Sequence, residues 1–120
     1  VVAVDLQAPM LDHVRRKAAR YGVAGRITCH PCPPERIGLT LAADFVLAWY
    51  MVHEAPDSAA FFREVRTLLK ADGRLLVVEP KMHVSRGDFA AMQAEAQAAG
   101  LVELAPFRGW MSRGVLLGLG

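Results

Sequence analysis

Three apolar runs limit what this chain can fold into. VVAVDL (1–6), ADFVLAWYMV (43–52) and RLLVVEP (74–80) are short, rich in Val and Leu and nearly uninterrupted. That is the pattern of strands covered on both faces in a parallel sheet, with ADFVLAWYMV at its buried centre. Parallel strands cannot be joined by tight turns and need long crossovers, usually helical. The segments between the runs supply them. From Pro9, the residues Leu11, Val14, Ala18 and Tyr21 recur at helical spacing, and Gly22 suits a left-handed cap. Asp57 or Ser58 can cap a second helix with the stripe Phe61, Phe62, Val65, Leu68 and Leu69. Its outward residues are Arg63, Arg66 and Lys70, and it stops at ADG. Ser85 followed by Asp88 has the form of a capping box, with Phe89, Met92, Ala96 and Ala99 inward and Gly100 closing that third helix.

The remaining segments fill in the pattern. RITCH predicts a second short strand, PCPPE breaks regular structure, and ERIGLTLA fits either a loop or a helical turn. LVELAPF and RGVLLGLG are separated only by residues 108–112, which allows a hairpin and no crossover helix. The alternation predicts one α/β domain over residues 1–120, Rossmann-like, with a mostly parallel sheet flanked by helices and a C-terminal antiparallel hairpin. Ligands of such sheets bind beyond the carboxyl ends of the strands, where Asp5, Cys32, Trp49, Tyr50, His53 and Glu79 fall.

Composition removes several classes. The hydrophobic share of 53% supports a packed core, and the net charge of +2 is too weak and scattered to argue for nucleic acid. No run reaches the roughly 18 to 20 apolar residues of a membrane span, so no membrane partner is expected. Two cysteines are too few for a disulfide framework, and a reducing cytoplasm is the expected location. CHPC (29–32) is a C-x-x-C, but the following prolines disfavour the helix N-terminus that a redox thiol needs. No second ligand pair completes a zinc site, so no metal is expected.

Some residues suggest chemistry by themselves. Imidazole titrates near neutral pH, so His53 can act as a general base, or it can simply lead a helix and bond to backbone. Glu79, Lys81 and His83 line the same mouth or form a solvated loop. Trp49, Tyr50, Met51, Trp110 and Met111 can surround a sulfonium by cation–π attraction, although core packing is the expectation for most of them, Tyr50 excepted. An acid at the end of a strand, such as Asp5, accepts two hydrogen bonds from a ribose diol in several nucleotide-binding enzymes, nicotinamide enzymes included.

The strand VVAVDL with its terminal acid, ADFVLAWYMVHE running into DSAAFFREVRTLLK, the turn ADGRLLVVEP and the final hairpin together resemble the class I S-adenosylmethionine-dependent methyltransferases. The resemblance covers nearly the whole chain. It is nearest to small bacterial and archaeal methyltransferase-domain proteins reading WYMVHE, FFREVRTLLKADGRLLVVEPK and HVSRGDF in succession. It implies S-adenosylmethionine as cofactor and a small-molecule acceptor. By position, Asp5 holds the ribose hydroxyls and Leu6 packs on the adenine. Ala48, Trp49 and Tyr50 approach the methionine end and the methyl group, with Tyr50 and His53 as the catalytic pair. Glu54, with Glu79, Lys81 and His83, lines the substrate mouth. The family's acid after its third strand is replaced here by HPCPP, so adenine recognition at Cys32 falls to backbone groups.

The family's glycine-rich first strand and the helix after it are expected ahead of VVAVDL and are missing from these residues. Two expectations follow. VVAVDL either pairs directly with ADFVLAWYMV or meets a strand of another chain, as in a homo-oligomer or strand-exchanged dimer, and the 120 residues bind cofactor weakly. Two other readings stand beside methyl transfer: part of an NAD(P)-dependent oxidoreductase, and a non-catalytic interaction domain.

Overall fold

The strand and helix periods read from the sequence are realised in the order β1 (Val2–Asp5), α1 (Ala8–Arg20), β2 (Thr28–Pro31), β3 (Ala43–Trp49), α2 (Ser58–Leu68), β4 (Leu69–Pro80), α3 (Arg86–Ala98), β5 (Leu101–Arg108) and β6 (Ser112–Leu119). Short 3-10 turns lie at Ala24–Arg26 and Val52–Glu54. The computed structural model describes all of residues 1–120. The chain divides into two compact units, Val1–Gly38 and Leu39–Gly120.

In the first unit β1 and β2 pair in parallel, Val2 with Thr28 through Asp5 with Pro31. Helix α1 carries Pro9 in its first turn, where a missing N–H costs nothing, and ends at Gly22 with φ +69°. It buries Leu11 and Ala18. Val2 and Val4 are exposed, against the expectation of a strand covered on both faces. Strand alternation puts these two valines on one face together, and the sheet's two strands leave that face open. The proline-rich segment after β2 has no helix. His30 Nε2 donates to the Ile37 carbonyl at 3.0 Å and ties that segment back.

The second unit holds a four-stranded sheet in the order β3-β4-β6-β5. β3 and β4 are parallel, while β6 is antiparallel to both β4 and β5. β3 is therefore an edge strand and not the buried central one. Phe45, Leu47 and Trp49, which share one face, are about half exposed, because a run of apolar residues specifies a strand without specifying its neighbours. The centre is β4, where Leu75, Val77 and Val78 are fully buried. β1 pairs with β2 and β3 with β4, so the expected direct pairing of VVAVDL with ADFVLAWYMV is not made.

The caps fall where hydrogen-bonding chemistry puts them. Asp57 accepts from the Ala60 N–H at 2.9 Å, and Ser85 Oγ from the Asp88 N–H at 3.0 Å. α2 buries Phe62, Val65 and Leu68, α3 buries Phe89, Met92 and Ala96, and Gly100 with φ +92° ends α3. α2 stops at Leu68, earlier than ADG, and β4 begins at the next residue. Truncating Phe62 to Ala would remove about 3 to 5 kcal/mol.

Candidate active site

The second unit gathers most of the predicted site residues at the carboxyl ends of β3 and β4. β3 ends at Trp49, and Tyr50 then takes φ +58°, the only positive φ outside glycine. That conformation costs a residue with a Cβ on the order of 1 to 3 kcal/mol and persists only where the surroundings impose it. Here the Tyr50 N–H donates to the Val78 carbonyl at 2.7 Å, and its hydroxyl shares a hydrogen bond with Ser112 Oγ. Tyr50 is thus fixed at both its ends. Trp49 stacks on it at 5.3 Å between centroids and meets Phe107 edge-on at 6.2 Å.

The turn at Val52–Glu54 swings His53 over the end of β4. The Glu79 carboxylate there is 0% exposed, accepts from the Val52 N–H at 2.9 Å, and bonds His53 Nδ1. A carboxylate only accepts, so Nδ1 carries the proton and Nε2 is left as the acceptor of the neutral ring. The His83 ring lies parallel to that of His53 at 6.1 Å, and the exposed Glu54 carboxylate is 3.8 Å from Nε2. Glu79, expected at the substrate mouth, stands beneath His53 as its support, because a side chain on the inward face at the end of a central strand points into the core.

His53, Glu79 and His83 line a cleft of about 320 Å³ between the start of α2 and α3. Three further polar residues there escaped sequence reasoning: Ser58, which donates to the Glu95 carboxylate, and Asp88. Ser58 and Glu95 are far apart in sequence and only the packing of α2 on α3 joins them. Ser112, likewise, had no signal as a partner of Tyr50. Ala48 is buried inside β3, and Lys81 is exposed in the turn after β4.

The expected core packing of the aromatic and methionine group is not seen. Trp49, Trp110 and Met111 are all exposed, Trp110 at 92%, and Tyr50, the expected exception, is exposed with them. Loop tips and an edge strand leave these side chains without a covering layer.

In the first unit Asp5 ends β1. Its Oδ1 accepts from the Gln7 N–H at 2.8 Å, which fixes the carboxylate and leaves lone pairs for a diol, so the residue fits a ribose. Leu6 beside it is exposed. The Cys32 N–H donates to the Asp5 carbonyl at 3.1 Å, which ties the start of the proline-rich segment to the end of β1. Cys29 lies within β2 and not at a helix N-terminus, and the two cysteines are not bridged. No helix is long and apolar enough to cross a membrane.

The fold has counterparts among solved structures. The mitomycin 7-O-methyltransferase MmcR superposes with a TM-score of 0.76 at 19% identity, over 99% of this chain and 41% of that one. A SAM-dependent methyltransferase from Aquifex aeolicus gives 0.80 at 16%, over 98% and 67%. The O-methyltransferase NcsB1 of neocarzinostatin biosynthesis, solved with S-adenosylmethionine and 2-hydroxy-5-methyl naphthoic acid, gives 0.80 at 19%, over 98% and 41%. The chain thus has the Rossmann-like methyltransferase fold and spans less than half the length of two of these three proteins. No curated protein matches it by sequence. Residues 1–77, well over half of the chain, match the family described as methyltransferase domain, and the chain belongs to that family.

Proposed function

We propose that this chain serves methyl transfer from S-adenosylmethionine to a small acceptor that carries a proton on its nucleophilic atom. The observation that carries the reading is the buried Glu79 holding His53 through Nδ1, with the other ring nitrogen left as acceptor beside a cleft. The cofactor, when bound, supplies an electrophilic methyl group on a sulfonium. His53 Nε2 takes the proton of the acceptor as the nucleophile attacks, and the carboxylate of Glu79 stabilises the imidazolium that forms. Tyr50, held rigidly after β3, positions the reacting groups. In the first unit Asp5 takes the ribose hydroxyls and Leu6 offers an apolar surface to the adenine. Asp5 alone would serve a nicotinamide enzyme equally well; membership of the methyltransferase family favours the methyl donor.

The test is transfer of labelled methyl from S-adenosylmethionine to a panel of hydroxyl- and amine-bearing acceptors, with the whole protein and its His53→Ala variant. Transfer that falls about a hundredfold or more in the variant supports His53 as the base. Transfer unchanged by His53→Ala removes it. Specific binding of S-adenosylhomocysteine without transfer to any acceptor favours a non-catalytic domain.

A further inference from the structure

We propose that the paired loop tips at residues 81–84 and 109–111 dock the protein onto an anionic lipid surface. Three large apolar side chains project there without cover: Trp110 at 92% exposure, Met82 at 79% and Met111 at 40%. The tips form one surface. The Lys81 N–H donates to the Met111 carbonyl at 2.9 Å, and Pro80 pairs with Ser112 across β4 and β6. They are also stiff, with His83 and Val84 N–H both donating to the Pro80 carbonyl and Gly109 N–H to that of Ser112. Arg113 braces them by donating to the Val84 carbonyl at 3.2 Å.

Charge selects the partner. The segments PKMHVSR (80–86) and FRGWMSR (107–113) hold four Lys or Arg and no Asp or Glu. The rest of the chain is left with ten basic against twelve acidic side chains. These two segments therefore carry four positive charges against a small negative excess in the rest of the chain, and Lys81, Arg86 and Arg108, at and beside the tips, are exposed. Of the neighbouring acids Glu79 is buried on His53, while Asp88 and Glu54 are exposed and offset only part of this positive charge. Trp and Met on projecting tips ringed by Lys and Arg fit the headgroup level of a bilayer, where indole rings settle and basic side chains reach phosphates. Such docking needs no spanning helix.

The experiment is co-sedimentation of the protein with phosphatidylcholine vesicles, with and without phosphatidylglycerol, at low and high salt. Binding is expected only with the anionic lipid and is expected to fall as salt rises. Lys81→Gln and Arg108→Gln should each weaken it about fivefold, and Trp110→Ala about tenfold. Met82→Gln repeats the apolar test at the second tip, and matching circular dichroism spectra establish that each variant is folded. No enrichment on anionic vesicles, equal binding to neutral ones, or a Trp110→Ala variant that binds as well as the parent would overturn the proposal. Tighter binding to poly-glutamate than to vesicles would assign the surface to an acidic protein instead, and would overturn it too.

Discussion

Glu79 holds His53 from inside the core: the carboxylate is wholly buried, and the ring it orients is the one that reaches the cleft. A fully enclosed acid satisfied by one backbone donor and one imidazole ties stability and chemistry to the same side chain. The two are separable by substitution. Glu79→Ala leaves the Val52 N–H and Nδ1 without partners and should cost about 2 to 5 kcal/mol in urea unfolding. Glu79→Gln keeps the shape, and its amide can donate to Nδ1, which moves the ring proton to Nε2. That variant should lose less than about 2 kcal/mol yet lose methyl transfer as His53→Ala does, and nitrogen NMR of the ring reads the tautomer directly.

Tyr50 and Ser112 form the second coupled pair. Tyr50→Phe and Ser112→Ala should each cost about 1 kcal/mol, and the double variant should cost about as much as either alone. Additive losses in a double-mutant cycle would mean that the two hydroxyls do not act together.

Asp5 offers a direct test of cofactor recognition. In calorimetric titration of the protein with S-adenosylhomocysteine, Asp5→Ala should weaken binding by at least about tenfold, the loss of a hydrogen bond from each ribose hydroxyl to a charged group. Tight binding that survives Asp5→Ala would place the ribose elsewhere.

The surface pair Lys70 and Asp44 predicts a pH effect. The Asp44 carboxylate, at 2.7 Å, raises the Lys70 ammonium above its usual 10.5, first through the hydrogen bond and then through its charge. A group whose folded-state value is raised contributes fully below the unfolded value. The difference in Tm between the parent and Lys70→Met should therefore be full well below pH 10.5, begin to shrink there, and vanish once pH passes the raised folded-state value. Both side chains are solvated, so salt should shrink it.

The open edge of β3 carries the expectation of self-association. Phe45, Leu47 and Trp49 present an apolar face beside unpaired backbone groups, which invites a strand from another copy. Phe45→Lys should shift the protein toward monomer in size-exclusion chromatography with little change in its unfolding midpoint. A monomeric parent would remove the strand-exchanged dimer.

The parts of this molecule that could be read from its residues are those settled locally. The caps at Asp57 and Ser85, the stripe of Phe62, Val65 and Leu68, and the glycines after α1 and α3 depend on neighbours within a few positions, and they stand where periodicity put them. What depended on distant partners was not legible. The run ADFVLAWYMV has the composition of a central strand, but its place at the edge follows from which strands pair, and apolar content does not encode that. Glu79 was visible as a strand-end acid, while the His53 ring it supports lies 26 residues away and left no local sign of that contact. The bond between Ser58 and Glu95 spans 37 residues and left no trace in either helix pattern.

The junction of α2 and β4 has a consequence for anyone cutting or extending this chain. Leu68 ends the helix and Leu69 begins the strand, but the register with β3 jumps from Leu69 to Arg74, so residues 70–73 bulge out of the ladder and give the junction slack. One residue inserted between Leu75 and Leu76, inside the stretch paired on both sides, would instead turn Val77 and Glu79 to the opposite face. The hairpin at 109–111, by contrast, absorbs added length without altering any strand's register. A single codon added between Leu75 and Leu76 would be as disruptive as a deletion of the core, whereas one added among residues 70–73 falls where the ladder already bulges.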